Sequence, residues 1–79
     1  MVAHMPATGV TIDHVLLRLT RRRKGLTLAK VAQRAGTTAG YVSKLEGGTA
    51  YPSPSIAVAI AEVLGLDFDE LVLDMEVQQ

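Results

Sequence analysis

The stretch that decides the fold is residues 27–46, TLAKVAQRAGTTAGYVSKLE. Thr27 and Thr38 each precede apolar residues at helical spacing, and threonine is favoured at the start of a helix, where its side chain accepts a backbone N–H. Gly36 lies between the two runs, and glycine ends a helix in the left-handed conformation at little cost. The stretch therefore predicts two short helices joined by a tight turn. Their apolar positions are Leu28, Val31, Ala32, Val42 and Leu45.

A helix pair this short rarely forms a core by itself, so we expect further helices to pack against it. The glycine in the turn lets the second helix cross the first at a steep angle, and Ala32 supplies the small side chain that the crossing needs. Val31, Val42 and Leu45 then hold the pair on the other helices. This arrangement is typical of a helix-turn-helix, whose second helix presents its outer side to the major groove of DNA.

The N-terminal flank predicts an arm followed by a first helix. Residues 1–10, MVAHMPATGV, contain Pro and Gly without an apolar period, which predicts a flexible arm. Thr11 is the predicted cap of a helix that runs into the basic residues 21–24 and ends at Gly25. The apolar positions of this helix are Ile12, Val15, Leu16 and Leu19.

The C-terminal flank predicts two more helices. Ser53 followed by Pro54 is a helix-start signal for a fourth helix that runs to residue 65, and Asp67 with Glu70 has the spacing of a capping box for a fifth. The apolar positions of these helices are Ala57, Ile60, Ala61 and Leu64, then Phe68, Leu71 and Val72.

Together these signals predict an all-α, compact five-helix bundle, with the folded domain at residues 11–73 and a short tail at residues 74–79. The segment 73–79 alternates apolar and acidic residues, which fits a short strand and a frayed extension equally. Whether the apolar side chains near this end cover the core or form a dimer interface stays open.

Composition limits the class of protein. The chain has 79 residues, 48% hydrophobic and 4% aromatic, which allows one domain with a core of small aliphatic side chains. It contains no Cys, which excludes disulfides, thiolate metal sites and Cys nucleophiles. No apolar stretch approaches the roughly 20 residues of a membrane helix, and the first residues do not have the pattern of a signal peptide. We therefore expect a cytoplasmic protein.

Charge is segregated along the chain although the net charge is zero. The acids other than Asp13 and Glu46 all follow the basic segment, so a positive and a negative face are expected. A positive face attracts phosphates, whereas the alternative is that the basic run is only a solvated helix surface. The basic residues are Arg18, Arg21, Arg22, Arg23, Lys24, Lys30, Arg34 and Lys44.

Catalytic and metal-binding patterns are not found in the sequence. His4 and His14 have no second histidine or carboxylate at ligand spacing, and a surface or hydrogen-bonded role is expected for both. No catalytic triad order, phosphate-binding loop or calcium loop is present. We therefore expect no enzyme activity, no cofactor and no metal.

With these residues in their order and spacing, the chain resembles the phage repressor and Cro-like (XRE family) helix-turn-helix domains over residues 14–72. The resemblance implies a lambda-repressor-like five-helix fold, a bacterial or phage-encoded regulator acting at the nucleoid, and a homodimer that binds operator half-sites about one helical turn apart. The matching residues are Leu17, Arg18, Arg21, Gly25, Leu26, Thr27, Val31, Ala32, Gly36, Thr37, Thr38, Tyr41 to Glu46, Gly48, Pro52, Ile60, Ala61, Leu64, Gly65, Asp69, Glu70 and Leu71.

The resemblance also implies roles for individual residues. Arg21 and Glu46 match a structural ion pair. The implied contacts with DNA bases are Thr38, Ala39, Gly40, Ser43 and Lys44. The implied contacts with the DNA backbone are Arg18, Thr27, Leu28, Lys30, Tyr41 and Thr49. Thr27 and Thr38 also act as helix caps, and Tyr41 is equally compatible with an ordinary half-buried position.

Base readout is expected to be limited, because Leu28, Ala39 and Gly40 carry no side-chain hydrogen-bonding group where related domains often do. Ala39 can contact a thymine methyl, and Lys44 can reach guanine O6 and N7. Two hypotheses therefore stand. One is a sequence-specific transcriptional regulator, a repressor by preference; the other is a protein-interaction module on the same fold, such as an antitoxin or co-regulator.

Overall fold

Short, individually capped helices make up most of the chain in the computed structural model, which describes residues 9–74. The predicted five helices are confirmed, and a small antiparallel sheet of two strands is added to them. No helix among the described residues is both long and apolar enough to span a membrane. The elements are β1 (Thr11–Ile12), α1 (His14–Arg23), α2 (Leu28–Ala35), α3 (Ala39–Glu46), α4 (Pro54–Leu64), α5 (Phe68–Leu71) and β2 (Val72–Asp74).

The helix starts predicted at Thr27, Thr38 and Ser53 are confirmed. Each side-chain oxygen accepts a hydrogen bond from the backbone N–H three residues ahead, at 3.0, 3.2 and 3.3 Å respectively. Pro54 follows at the first helical position, where no N–H donor is needed. At α5, Glu70 accepts the backbone N–H of Asp67 at 2.8 Å, which is half of the predicted capping box.

The turn between α2 and α3 depends on Gly36. Its φ of +78° lies in the left-handed region, where a side chain would be strained. The backbone N–H groups of Gly36 and Thr37 both bond to the carbonyl of Ala32, so the last turn of α2 is closed before the chain reverses into α3. The two helices of the predicted pair pack directly against each other, and α2 also packs against α4.

The predicted start of the first helix is wrong. Thr11 lies in strand β1, and Asp13 caps α1 by accepting the N–H of Leu16 at 3.0 Å. Val10 lies within the predicted flexible arm, but its side chain is fully buried and its N–H donates to the carbonyl of Pro52 at 2.9 Å. Residues 1–8 of the predicted arm lie outside the described residues.

The buried face of the first helix also differs from the prediction. Leu17 and Thr20 face the core, whereas Val15 and Leu19 are exposed to solvent. The reason is that Val15, Leu16, Leu17 and Leu19 are nearly consecutive in the sequence, so their spacing alone does not decide which of them are buried. Tertiary packing decides this, because Leu17 meets the core formed by the other helices.

The C-terminal segment forms a strand as far as it is described. β2 pairs antiparallel with β1, with Thr11 opposite Asp74 and Ile12 opposite Val72. The N–H of Asp13 donates to the carbonyl of Leu71 at 2.8 Å. The sheet therefore ties the start of α1 to the end of α5. Residues 75–79 lie outside the described residues.

The core lies where all five helices meet and consists of aliphatic side chains. The stripe predicted on α4 is confirmed, since all four of its residues are buried. Its alanines and Ala32 of α2 let the helix backbones approach closely, which suits a chain with few aromatic residues. The largest fully buried side chains are Leu17, Leu45, Ile60, Leu64, Leu71, Val10, Val31, Val42 and Pro52.

Candidate functional site

An ion pair fixes α3 relative to α1. Nε of Arg21 donates to Oε2 of Glu46 at 2.5 Å, and Nη2 donates to Oε1 at 3.1 Å. Nη1 donates to the carbonyl of Leu26 at 2.8 Å, in the loop before α2. Only 13% and 8% of the two side chains are exposed. Hydrogen bonding to Glu46 raises the pKa of Arg21, and burial opposes that rise. The structure thus forms the ion pair that the resemblance implied.

His14 also contacts the C-terminal end of α3. Its Nδ1 lies 3.1 Å from the carbonyl oxygen of Glu46, within hydrogen-bonding distance. The ring also packs on Gly48, where a Cβ would come within 3.1 Å of Nε2. No group of three potential metal ligands occurs among residues 9–74. His14 therefore holds the helix terminus through its ring.

The outer face of α3 is largely exposed to solvent. Gly40, Ser43 and Lys44 are exposed, and Ala39 and Tyr41 are half-buried. A Cβ built on Gly40 would meet no atom within 4 Å, so packing inside the domain does not require a glycine there. Thr38 is exposed at the start of the helix. The five residues implied as base contacts thus lie on α3 or at its N-terminus.

A groove of about 320 Å³ separates α3 from α1 and reaches the start of α2. Three residues implied as DNA contacts come from different helices and line it, namely Arg18 on α1, Leu28 on α2 and Ser43 on α3. The ion pair of Arg21 with Glu46 contributes to the same lining. The groove is therefore the place where the three helices bring the implied contacts together.

Arg22 lines this groove but was not among the implied contacts. The signal that indicates it is spacing, because Arg22 lies four residues after Arg18 and such residues are neighbours on a helix surface. Both side chains are exposed. The groove accordingly has two exposed cationic side chains on its α1 wall, in addition to Arg21, which is paired with Glu46.

Hydroxyl groups at the site divide into two kinds. Thr27 and Thr38 accept backbone N–H groups, which leaves their hydroxyl protons available to a phosphate oxygen. Thr49 instead donates to the carbonyl of Lys44 at 3.2 Å, and Tyr41 donates to that of Tyr51 at 3.4 Å. The first pair is therefore better prepared to bind an anion than the second.

Residues 15–73 match the sequence model of a family described as a helix-turn-helix domain. The chain is also similar to y4dJ, an uncharacterized HTH-type transcriptional regulator of Sinorhizobium fredii (strain NBRC 101917 / NGR234). The identity is 40% over 52 residues, which are 66% of this chain and 68% of y4dJ.

Solved structures with the same fold include two bacterial regulators. The clp gene regulator ClgR of Corynebacterium glutamicum is 30% identical, with a TM-score of 0.69 over 72% of this chain. The chain spans 61% of the ClgR chain, less than two thirds of it. SinR of Bacillus subtilis, the master regulator for biofilm formation, was solved in complex with DNA. It is 25% identical, with a TM-score of 0.65 over 70% of this chain and 89% of SinR.

Proposed function

Because the chain belongs to the helix-turn-helix family of DNA-binding transcription regulators, we propose that it places α3 in the major groove of an operator. Transcription is then controlled by whether the operator is occupied, and repression is the mode we propose. A regulator of this kind acts on DNA in the bacterial cytoplasm.

The observation that carries this proposal is the uncovered face of α3 beside a cationic wall. Ser43 and Lys44 are exposed on α3, and Arg18 stands across the groove from Ser43. A helix inserted in the major groove lies between two phosphate backbones. In this geometry Ser43 and Lys44 meet base edges while Arg18 meets a phosphate.

The starts of α2 and α3 supply further phosphate contacts. Helix N-termini carry backbone N–H groups and a positive partial charge, both of which suit an anion. Thr27 and Thr38 add hydroxyl protons for which residues 9–74 provide no acceptor, and Lys30 is exposed in the first turn of α2. These contacts set the orientation of the domain on the duplex without reading its sequence.

Direct readout by α3 is limited to a few groups. Lys44 donates to guanine O6 and N7, Ser43 donates or accepts, and Ala39 contacts a thymine methyl. Gly40 has no side chain to read a base. Each good base contact discriminates by roughly 1–3 kcal/mol, so a single domain has modest specificity. A homodimer that binds two half-sites about 10 base pairs apart doubles the readout, and this is the form we propose.

Selection from mixed genomic fragments tests the proposal. The full chain is incubated with the fragments at salt concentrations from low to physiological, and the retained DNA is sequenced. We expect a discrete motif at physiological salt with two half-sites about one helical turn apart. Weak, unselective binding that disappears at moderate salt would refute a sequence-specific regulator.

The salt dependence of binding to the selected fragment assigns the phosphate contacts. Arg18→Ala should weaken binding to all sequences about equally and lower the slope of log K against log salt by about 1. Glu62→Ala, an exposed change on α4, serves as the control and should leave the slope unchanged. An unchanged slope for Arg18→Ala would remove Arg18 from the interface.

A further inference from the structure

The outer surface of α1 carries an apolar pair that the core does not use. Val15 and Leu19 lie one turn apart, and 55% and 48% of these residues are exposed. They line a hollow of about 470 Å³ that also includes His14 and Gly47. Single exposed apolar residues are ordinary, whereas these two are neighbours on one helix and line the same hollow. This surface, defined by Val15, Leu19 and the hollow, is called the α1 face below.

The charges that border the α1 face are positive. Arg18 and Arg22 line the hollow, one turn apart like the apolar pair, and both are exposed. Glu46 is the one carboxylate in the lining, and its two oxygens are bound to Arg21. The described part of the α1 face therefore offers two guanidinium groups and no free carboxylate.

We propose that the α1 face binds an acidic amphipathic helix of another protein. Apolar side chains at helical spacing on that helix pack on Val15 and Leu19, and its carboxylates bind Arg18 and Arg22 in charge-assisted hydrogen bonds. A second copy of this chain does not make these contacts through its own α1 face, because that face brings the same arginines and no free carboxylate.

The arginines connect this surface to DNA. Arg18 and Arg22 line both the hollow and the groove beside α3. Carboxylates bound to them compete with DNA phosphates for the same guanidinium groups. The partner helix is therefore an antagonist of DNA binding. This competition rests on the proposed function, whereas binding of the helix to the α1 face does not.

A pair of synthetic peptides tests the proposal on the full chain. The probe is a helix of about 18 residues, long enough to be helical when bound, with leucines on one face and glutamates beside them. Its twin has every glutamate replaced by lysine. Titration into the ¹⁵N-labelled protein should shift the amide signals of α1 with the acidic peptide and not with the twin. Equal binding of the twin would show general apolar adhesion and overturn the proposal.

Variants locate the contact. Leu19→Ser should lower the affinity for the acidic peptide at least about tenfold, as expected for a central apolar contact. Adding Arg18→Ala and Arg22→Ala should lower this affinity further. Val58→Ser is the matched control, because Val58 is 41% exposed on α4 and does not line the hollow. Equal effects of Leu19→Ser and Val58→Ser would overturn the proposal.

Two further measurements test whether a second copy of the chain or the chain's own C-terminal end occupies the α1 face instead. Sedimentation equilibrium should give the same oligomeric state for the wild type and Leu19→Ser, and a dimer lost in Leu19→Ser would assign the α1 face to a second copy instead. Deletion of residues 75–79 should leave peptide affinity unchanged, and a gain in affinity would assign the α1 face to the chain's own end.

Displacement of a bound duplex by the acidic peptide supports the competition with DNA. Peptide binding without displacement refutes the competition alone.

Discussion

Removing the carboxylate of Glu46 should destabilise the domain strongly. The side chain holds Arg21 by two hydrogen bonds, and only 13% and 8% of the two side chains are exposed. Breaking a fully buried pair costs about 3–5 kcal/mol, and a surface pair contributes about 0–1 kcal/mol. For this largely buried pair we expect Glu46→Ala to lower the free energy of unfolding by about 2–3 kcal/mol. In a domain of this size that lowers Tm by roughly 10–20 °C.

Thermal denaturation followed by circular dichroism measures this effect, with Glu62→Ala as the control. Glu62 is exposed on α4, so its replacement should change stability by less than about 0.5 kcal/mol. The double variant Arg21→Met with Glu46→Leu should recover most of the loss, because neither charge is then buried without a partner. A Tm for Glu46→Ala equal to that of Glu62→Ala would refute the structural role of the pair.

The pH dependence of the same loss follows from the sign of the pKa shift. Hydrogen bonding to Glu46 raises the pKa of Arg21 in the folded protein. A raised pKa gives stability that is fully present below the unfolded pKa and is lost as the pH rises through the folded one. The contribution of Arg21 to the cost of Glu46→Ala should therefore stay constant as the pH is raised to about 10, which is still below the unfolded pKa of arginine.

Two further predictions test the turn and the corrected helix face. Gly36→Ala should destabilise the domain by about 1–2 kcal/mol, because φ at this position is +78°. Gly40→Ala should instead stabilise the domain by up to about 1 kcal/mol, because its Cβ meets no atom within 4 Å. Equal shifts in Tm for the two variants would contradict the turn geometry. Leu17→Ala should lower the free energy of unfolding by about 2–5 kcal/mol and Val15→Ala by less than about 0.5 kcal/mol, as measured by urea denaturation. The reverse order would mean that the face predicted from periodicity is the buried one.

The helix starts could be predicted from sequence because their cause is local. Thr27, Thr38 and Ser53 each bond to the backbone three residues ahead, so the residues that decide a cap lie within one turn of it. Gly36 likewise decides the turn through its own conformation. Such interactions are visible in a short window of sequence.

The N-terminal region could not be predicted in the same way because its structure depends on distant residues. Thr11 is in a strand only because Asp74, near the other end of the described chain, pairs with it. Leu17 is buried instead of Leu19 because of the helices that surround it, and both positions are apolar. A window of sequence contains neither partner.

The candidate site likewise combines residues that a local sequence pattern predicts with residues whose placement depends on tertiary packing. The residues on α3 follow from the helix-turn-helix pattern, and their contact with DNA stays a prediction. The groove that brings Arg18, Leu28 and Ser43 together depends on how α1 packs on the pair. That geometry shows that Arg22 stands beside them, and that Thr49 already uses its hydroxyl proton within the domain.

The most direct test of the central claim, that the outer face of α3 binds DNA, compares two lysines. Lys44→Ala and Lys24→Ala remove the same charge from exposed positions, but Lys24 lies beside Gly65 at the end of α4, with Nζ 3.6 Å from a Cβ built there. Affinity for the selected fragment is measured by fluorescence anisotropy at one salt concentration. We expect Lys44→Ala to lose about tenfold or more and Lys24→Ala to lose little. Equal losses would mean that binding follows overall charge and not the face of α3.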